Sequence, residues 1–247
     1  MPAQRIGGAS VNIAIYDVLG FDSPHQPAFV GHVAIAAQAL SLSQSTPISI
    51  RVTHMVPPLL ANAPYTLGPC HGAVGLEEVM MRRIATFVRQ IRSEYEAEEA
   101  RRRAAGTWNP ATRDRFRADQ YTIRPHVRWP DGTRPYHQFS CAGFVAETYG
   151  EADIVLVETR EAELPPCYLA TLKIAYSHLS THLDDIAFLA EKGLDGEGPW
   201  RILLPGYIMN SLGRSRDDIL ATPYQAVAGD EFFPSKPPIH KQDRGNV

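Results

Sequence analysis

The chain predicts an α+β fold, a small antiparallel sheet packed against a helix that opens at a cysteine. Strand-like runs gather in the first 56 residues, and helical periodicity takes over from Leu76. Strands and helices do not alternate through the chain as a parallel α/β sheet requires. One helical pattern begins at Cys141, and one strand carries a histidine among small residues.

Val11 to Leu19 reads as a strand, with Val11, Ile13 and Ile15 alternating against Asn12 and Ala14. A loop from Gly20 to Pro27 leads to a second strand across Phe29 to Ala37. The polar stretch Ser41 to Thr46 precedes a third, Ile48 to Val56, stopped by Pro57-Pro58. These three form an antiparallel meander. Leu76, Val79, Met80, Ile84, Phe87, Val88, Ile91 and Tyr95 recur at spacings of three and four, which predicts a long amphipathic helix to about Arg103 with solvated last turns. Residues 106–131, with Pro110, Pro125 and Pro130, read as a loop-rich insertion holding a short strand near Tyr121 to Ile123. The cysteine helix follows, then a short strand at Ile154 to Glu158. A helical stretch runs from Cys167 to Lys192 with a break near Ser180, and Tyr224 to Phe233 reads as a late strand. Residues 1–233 are expected to form one domain, and 234–247 a flexible tail rich in proline and lysine.

A hydrophobic content of 44% with 21% charged residues is ordinary for a globular chain and excludes wholesale disorder. The formal charge of −3 argues against a nucleic-acid partner or an anionic membrane surface. Three widely spaced cysteines do not make a disulfide framework, so a reducing compartment is expected. No apolar run approaches membrane-spanning length. The N-terminus lacks the basic-then-apolar signal pattern, so a cytoplasmic location or a leaderless export route is expected.

A thiolate is the nucleophilic form of cysteine, and a helix N-terminus or a neighbouring cation favours it. Cys70, just before the long helix, Cys141 and Cys167, after Pro165-Pro166, all lie at expected helix starts. The residues around Cys141 choose among them. Phe144, Val145, Thr148 and Tyr149 share its helix face, and Gly143, which costs a helix about 1 kcal/mol relative to alanine, points to a close backbone approach. The bland alternative is a buried core thiol, the commoner fate of a free cysteine. His32 shares a strand face with Val30, Ala34 and Ala36, small neighbours that leave room for a packed helix. His54 lies on the apolar face of the third strand, where it can neighbour His32 across an antiparallel pair and fix its tautomer. Each histidine taken alone is equally well a hydrogen-bonded core residue. His178 and His182 stand four apart, but Leu179 takes the place of the glutamate of a zinc-protease motif. An exposed helix surface is the expectation there, with no metal and no cofactor.

Cys141-Ala142-Gly143-Phe144-Val145 and His32-Val33-Ala34-Ile35 resemble the helix motif C-S-G-[FL]-V and the strand motif H-V-[GA]-I of the NlpC-related branch of papain-like cysteine hydrolases. The histidine-first order is similar to the circularly permuted group of that branch, the YiiX-like hydrolases and lecithin:retinol acyltransferase relatives. Arg134-Pro135-Tyr136 resembles the G-x-P-Y segment upstream of the nucleophile in YiiX-like members. Ala142 departs from the usual serine, and His54 lies farther beyond His32 than the third polar residue commonly does. The Gly-Asp that usually opens the strand before the histidine is found only at Gly229-Asp230-Glu231-Phe232-Phe233; reading the chain unpermuted would then need His240, in a tail with no strand after it. The resemblance implies a papain-like (NlpC-type) fold with Cys141 as nucleophile, His32 as general base and His54 as orienting residue. It implies amide cleavage of a peptide or peptidoglycan-like substrate through an acyl-enzyme. A lipid acyltransferase or thioesterase using the same thiol, and a non-catalytic scaffold, are the alternatives. Oligomeric state and substrate identity are left open.

Overall fold

The structure is a computed structural model that describes residues 4–5, 11–42, 49–66 and 68–234. In chain order its elements begin with β1 (Gln4–Arg5), β2 (Val11–Ile13), β3 (Val18–Ser23), β4 (Gln26–Ala36), β5 (Leu40–Leu42), β6 (Ser49–Met55), β7 (Leu59–Thr66) and β8 (Cys70–Gly72). Then come α1 (Glu78–Ala104), α2 (Pro110–Asp119), β9 (Val127–Arg128), β10 (Gln138–Phe139) and α3 (Cys141–Gly150). The last part holds β11 (Pro166–Cys167), α4 (Leu169–Ala175), α5 (Ile186–Glu191), β12 (Trp200–Arg201), α6 (Pro205–Ser211) and α7 (Arg216–Ala221).

The main sheet is six-stranded in the order β1-β8-β3-β4-β6-β7, antiparallel throughout, and three further strand pairs stand beside it. Its centre differs from the expected meander. The segment read as a loop from Gly20 to Pro27 is the β3–β4 hairpin, turning at Pro24-His25. The strand after Pro57-Pro58, β7, was not expected because it carries Asn62 and Pro64. As the last strand of the sheet it tolerates a proline, since an edge leaves half of its amides outside the ladder. Cys70 lies in β8, not in a helix approach.

The two faces of the sheet bury different sets. Val18, Val33, Ile35 and Met55 join the large core with α1, α3 and α6, while Leu19, Phe21, Ala34, Ala36, Ile50 and Val52 form a smaller cluster on the other face. α1 presents Ile84, Phe87, Ile91 and Tyr95 to the large core. Its last turns are less solvated than their polarity suggests: Glu98 is buried, held by Arg101 at 2.7 Å and Arg102 at 2.6 Å. The stretch 106–131 contains α2, a helix of 10 residues, capped by Asn109 and Thr112 bonding reciprocally, with Pro110 in its first turn.

Ile154 to Glu158 forms no strand beyond a single bridge between Val157 and Tyr224. The helical stretch 167–192 breaks into α4, a short turn of 3-10 helix at Ser177–Leu179, and α5. No helix among the described residues is long and apolar enough to cross a membrane. The tail beyond residue 234 lies outside the described residues, as do most of Ser41 to Thr46 and Ile48.

Candidate functional site

α3 begins at Cys141. Ser140 is its N-cap, with Oγ accepting the Gly143 amide at 2.9 Å, and Ser140 N–H donates to the His126 carbonyl at 3.0 Å. Gly143 is required by that same carbonyl: a Cβ there would sit 2.2 Å from the His126 oxygen. The close approach expected of Gly143 is therefore to the backbone entering β9. α3 packs against β4 and β6, and Phe144, Val145, Thr148 and Tyr149 are buried with Cys141.

β4 carries a bulge immediately before His32. Asp22 pairs with Val30 and Phe21 with His32, so Gly31 is the extra residue. A Cβ on Gly31 would lie 2.8 Å from the Ser23 Cα, which leaves glycine as the residue that fits. The bulge flips the alternation of the strand. Before it, the Val30 amide donates to the Glu231 carbonyl, and the Phe233 amide donates to the Ala28 carbonyl. After it, the Ala37 amide donates to Arg51 on β6. With a period of two, the Val33 amide points to the β6 side. The ladder between β4 and β6 holds only Ile35 with Thr53 and Ala36 with Val52. The Val33 amide thus faces a gap between that short ladder and the segment around Phe232, and the Cys141 sulfur lies against it there.

His32 and His54 sit together. His32 Nε2 and His54 Nδ1 are 2.8 Å apart, the rings meet edge to face with centroids 5.0 Å apart, and Tyr65 from β7 packs on both. Alternation along β4 directs His32 to the face of Phe21 and Ala34, opposite Val33 and the body of α3. α3 therefore does not pack on the small-residue face of His32, against the expectation from Ala34 and Ala36, and the bulge at Gly31 takes Val30 off that face as well; the Cys141 sulfur approaches from the Val33 face, and the two imidazoles lie on the other. In the tautomer in which His32 donates to His54, its Nδ1 keeps a bare lone pair.

Burial pushes the Cys141 thiol up to about 11, opposed by the Val33, Ala142 and Cys141 backbone amides and by the Tyr121 hydroxyl. Burial also holds His32 well below its ordinary value, with His54 and His178 adding to the effect, and holds His54 at about 4. The depressed thiol that a helix start favours is absent here, because Cys141 is 2% exposed and burial outweighs its amide donors. The resting pair is a neutral thiol and neutral imidazoles. Cys167, at the end of β11, is raised further, to about 12, first by burial and then by Glu231.

Two neighbours of the sulfur carry no motif in the sequence. The buried Tyr121 hydroxyl is near the sulfur and the backbone N–H of Cys141 but makes no hydrogen bond among the described residues. Tyr121 is held there by a parallel bridge to Phe139, one of the last residues before the helix. Tyr176 is buried beside the same sulfur. Gln138 and Tyr136, just before the helix, turn away from the thiol: both bond Asp119. His178 and His182 do not share a helix face, since the chain turns between them, and no group of three or more metal-ligating side chains occurs among the described residues.

Compared with known proteins, the chain matches no family model, no curated protein and no solved structure.

Proposed function

We propose that the protein is a cysteine hydrolase that cleaves an amide bond, in a peptide or peptidoglycan-like substrate, through an acyl-enzyme on Cys141. The observation that carries this reading is the neighbourhood of the β4–β6 gap. There the helix-initiating sulfur lies close to the amide of the residue after His32, and half-buried His32 is hydrogen-bonded to buried His54.

The chemistry starts from the neutral pair. As the Cys141 sulfur attacks the carbonyl carbon, its proton passes through the β4–β6 gap to His32 Nδ1, and His54 accepts from His32 Nε2–H to hold the ring. The carbonyl π electrons move onto oxygen, and the Cys141 backbone N–H, the first free amide of α3, receives the oxyanion. In the resting site that amide faces the Tyr121 oxygen, which the substrate oxygen displaces, leaving the phenol as a second donor. His32 returns its proton to the departing amine as the C–N bond breaks. Water, deprotonated by His32, then resolves the thioester to a carboxylic acid and the free thiol.

The fold reading proposed with it is a permuted papain-like arrangement. Its support is that Gly229-Asp230-Glu231-Phe232-Phe233 pairs with the start of β4, Phe232 opposite Phe29. The Gly-Asp segment expected next to the histidine strand is thus its neighbour in space while lying at the other end of the sequence. The expected late strand Tyr224 to Phe233 is reduced to isolated bridges at Tyr224 and Phe232, and a break in the chain between this segment and β4 would convert the usual order to this one.

The test is peptide mapping by mass spectrometry after incubation with peptide p-nitroanilides, a muramyl dipeptide amide and a lipid ester, each quenched with acid. An acyl group on Cys141 from an amide, absent in His32→Ala, is expected. Adducts from the lipid ester alone would move the protein to the acyltransferase and thioesterase class. No adduct from any donor would leave Cys141 a core residue.

A further inference from the structure

α1, α2 and the loop before Tyr136 line an open cavity of about 420 Å³ whose charge opposes that of the chain. Arg102 from α1, Arg115 from α2 and Arg134 from the loop line it, and Asp119 is the one carboxylate among the lining residues. Asp119 is already engaged: it accepts Arg134 Nε at 3.1 Å, the Tyr136 hydroxyl at 2.5 Å and the Gln138 amide.

The arginines are held so that their unused donors remain. Arg102 gives Nε to buried Glu98 at 2.6 Å, and its guanidinium lies 4.7 Å over the Phe116 ring, which fixes its plane. Arg134 spends Nε on Asp119, and its two terminal nitrogens have no partner among the described residues. Arg115, exposed on α2, has no hydrogen-bond or ion-pair partner among the described residues. Arg102 and Arg134 each already face a carboxylate, Glu98 and Asp119, so the lining still carries a net positive charge through Arg115, and the planar forks match phosphate and carboxylate oxygens.

We propose that this cavity binds a small organic oxyanion, carried as a phosphate or a carboxylate, with Arg115 and the terminal nitrogens of Arg102 and Arg134 as donors and Phe116 as an apolar wall. The volume lies in the range of small-molecule sites. In a chain of formal charge −3 the cluster is not a general property of the surface. The inference does not rest on the hydrolase reading, since no lining residue belongs to the Cys141 site.

Isothermal titration of the full chain at low ionic strength, with pyrophosphate in one arm and citrate in the other, tests it. One saturable site is expected, weakened at least tenfold by Arg115→Ala, whose exposed side chain can be removed without unfolding the helix. Arg117→Ala removes the same charge from the same helix outside the cavity and should leave the affinity within about twofold. Tighter pyrophosphate identifies a phosphate ligand, and tighter citrate a carboxylate. Absence of saturable binding in both arms would overturn the proposal. So would an affinity that Arg115→Ala leaves unchanged or that Arg117→Ala lowers equally.

Discussion

Gly143→Ala should destabilise the protein, although the same change in an unobstructed helix stabilises by about 1 kcal/mol. The added Cβ would stand 2.2 Å from the His126 oxygen and 2.9 Å from its carbonyl carbon, both backbone atoms that no rotamer change can move aside. Restoring ordinary contact needs a shift of roughly 1 Å between α3 and the segment entering β9, a local overpacking that costs typically 1–3 kcal/mol. After the propensity gain the net loss is about 0–2 kcal/mol, and the Ser140–His126 hydrogen bond that seats the N-cap is the first contact to go. Gly150→Ala, at the other end of α3, meets nothing within 4 Å and serves as the control, with a gain of up to about 1 kcal/mol. Urea unfolding of the three chains gives both differences on one scale. The reasoning is refuted if Gly143→Ala matches Gly150→Ala in stability, because the close approach would then not exist.

The Tyr121 hydroxyl makes no hydrogen bond at rest but stands where it can donate to the Cys141 thiolate, a bond worth about 10- to 100-fold, so Tyr121→Phe should slow alkylation of Cys141 by iodoacetamide at pH 7 by up to that factor. Unchanged labelling would remove Tyr121 from the site. His54 and His126 are both held at about 4 by burial, so the folded chain binds fewer protons than the unfolded one between there and 6.5. Their stabilisation is complete above pH 6.5 and lost as pH falls, by about 2 kcal/mol each at pH 5. Urea unfolding at pH 7.5 and pH 5 measures it, and equal stabilities would show these rings to be solvated.

Much of the framework was legible because periodicity reports burial directly. α1, β4, β6 and the start of α3 stand within a few residues of their expected positions, each marked by an apolar repeat, which for α3 opens at Cys141. The misses have physical causes. Pro110 suggests a loop, yet after Asn109 and before Thr112 it opens α2, where its missing amide costs nothing. Pro64 hid β7, which escapes the usual penalty as an edge strand. The pairing of His32 with His54 was anticipated from strand phase, and Gly143 from its cost in a helix. The bulge at Gly31 was not, because a one-residue register shift depends on the partner strand and leaves no mark in β4 itself. Tyr121 was invisible for a similar reason: a parallel bridge to Phe139, 18 positions later, brings it to the thiol. The raised thiol could not be foreseen either, since position at a helix start says nothing of how deeply the sulfur is buried.

The rate of Cys141 alkylation against pH, on wild type and on His32→Ala, bears most directly on whether sulfur and imidazole act as one unit. With the thiol raised to about 11, an isolated Cys141 would react only along an alkaline limb. Proton transfer to His32 adds a plateau through neutral pH, which the wild type should show and His32→Ala should lose while keeping the alkaline limb. Superimposable profiles from the two chains would contradict the account, for the sulfur would then react without reference to the histidine across the gap.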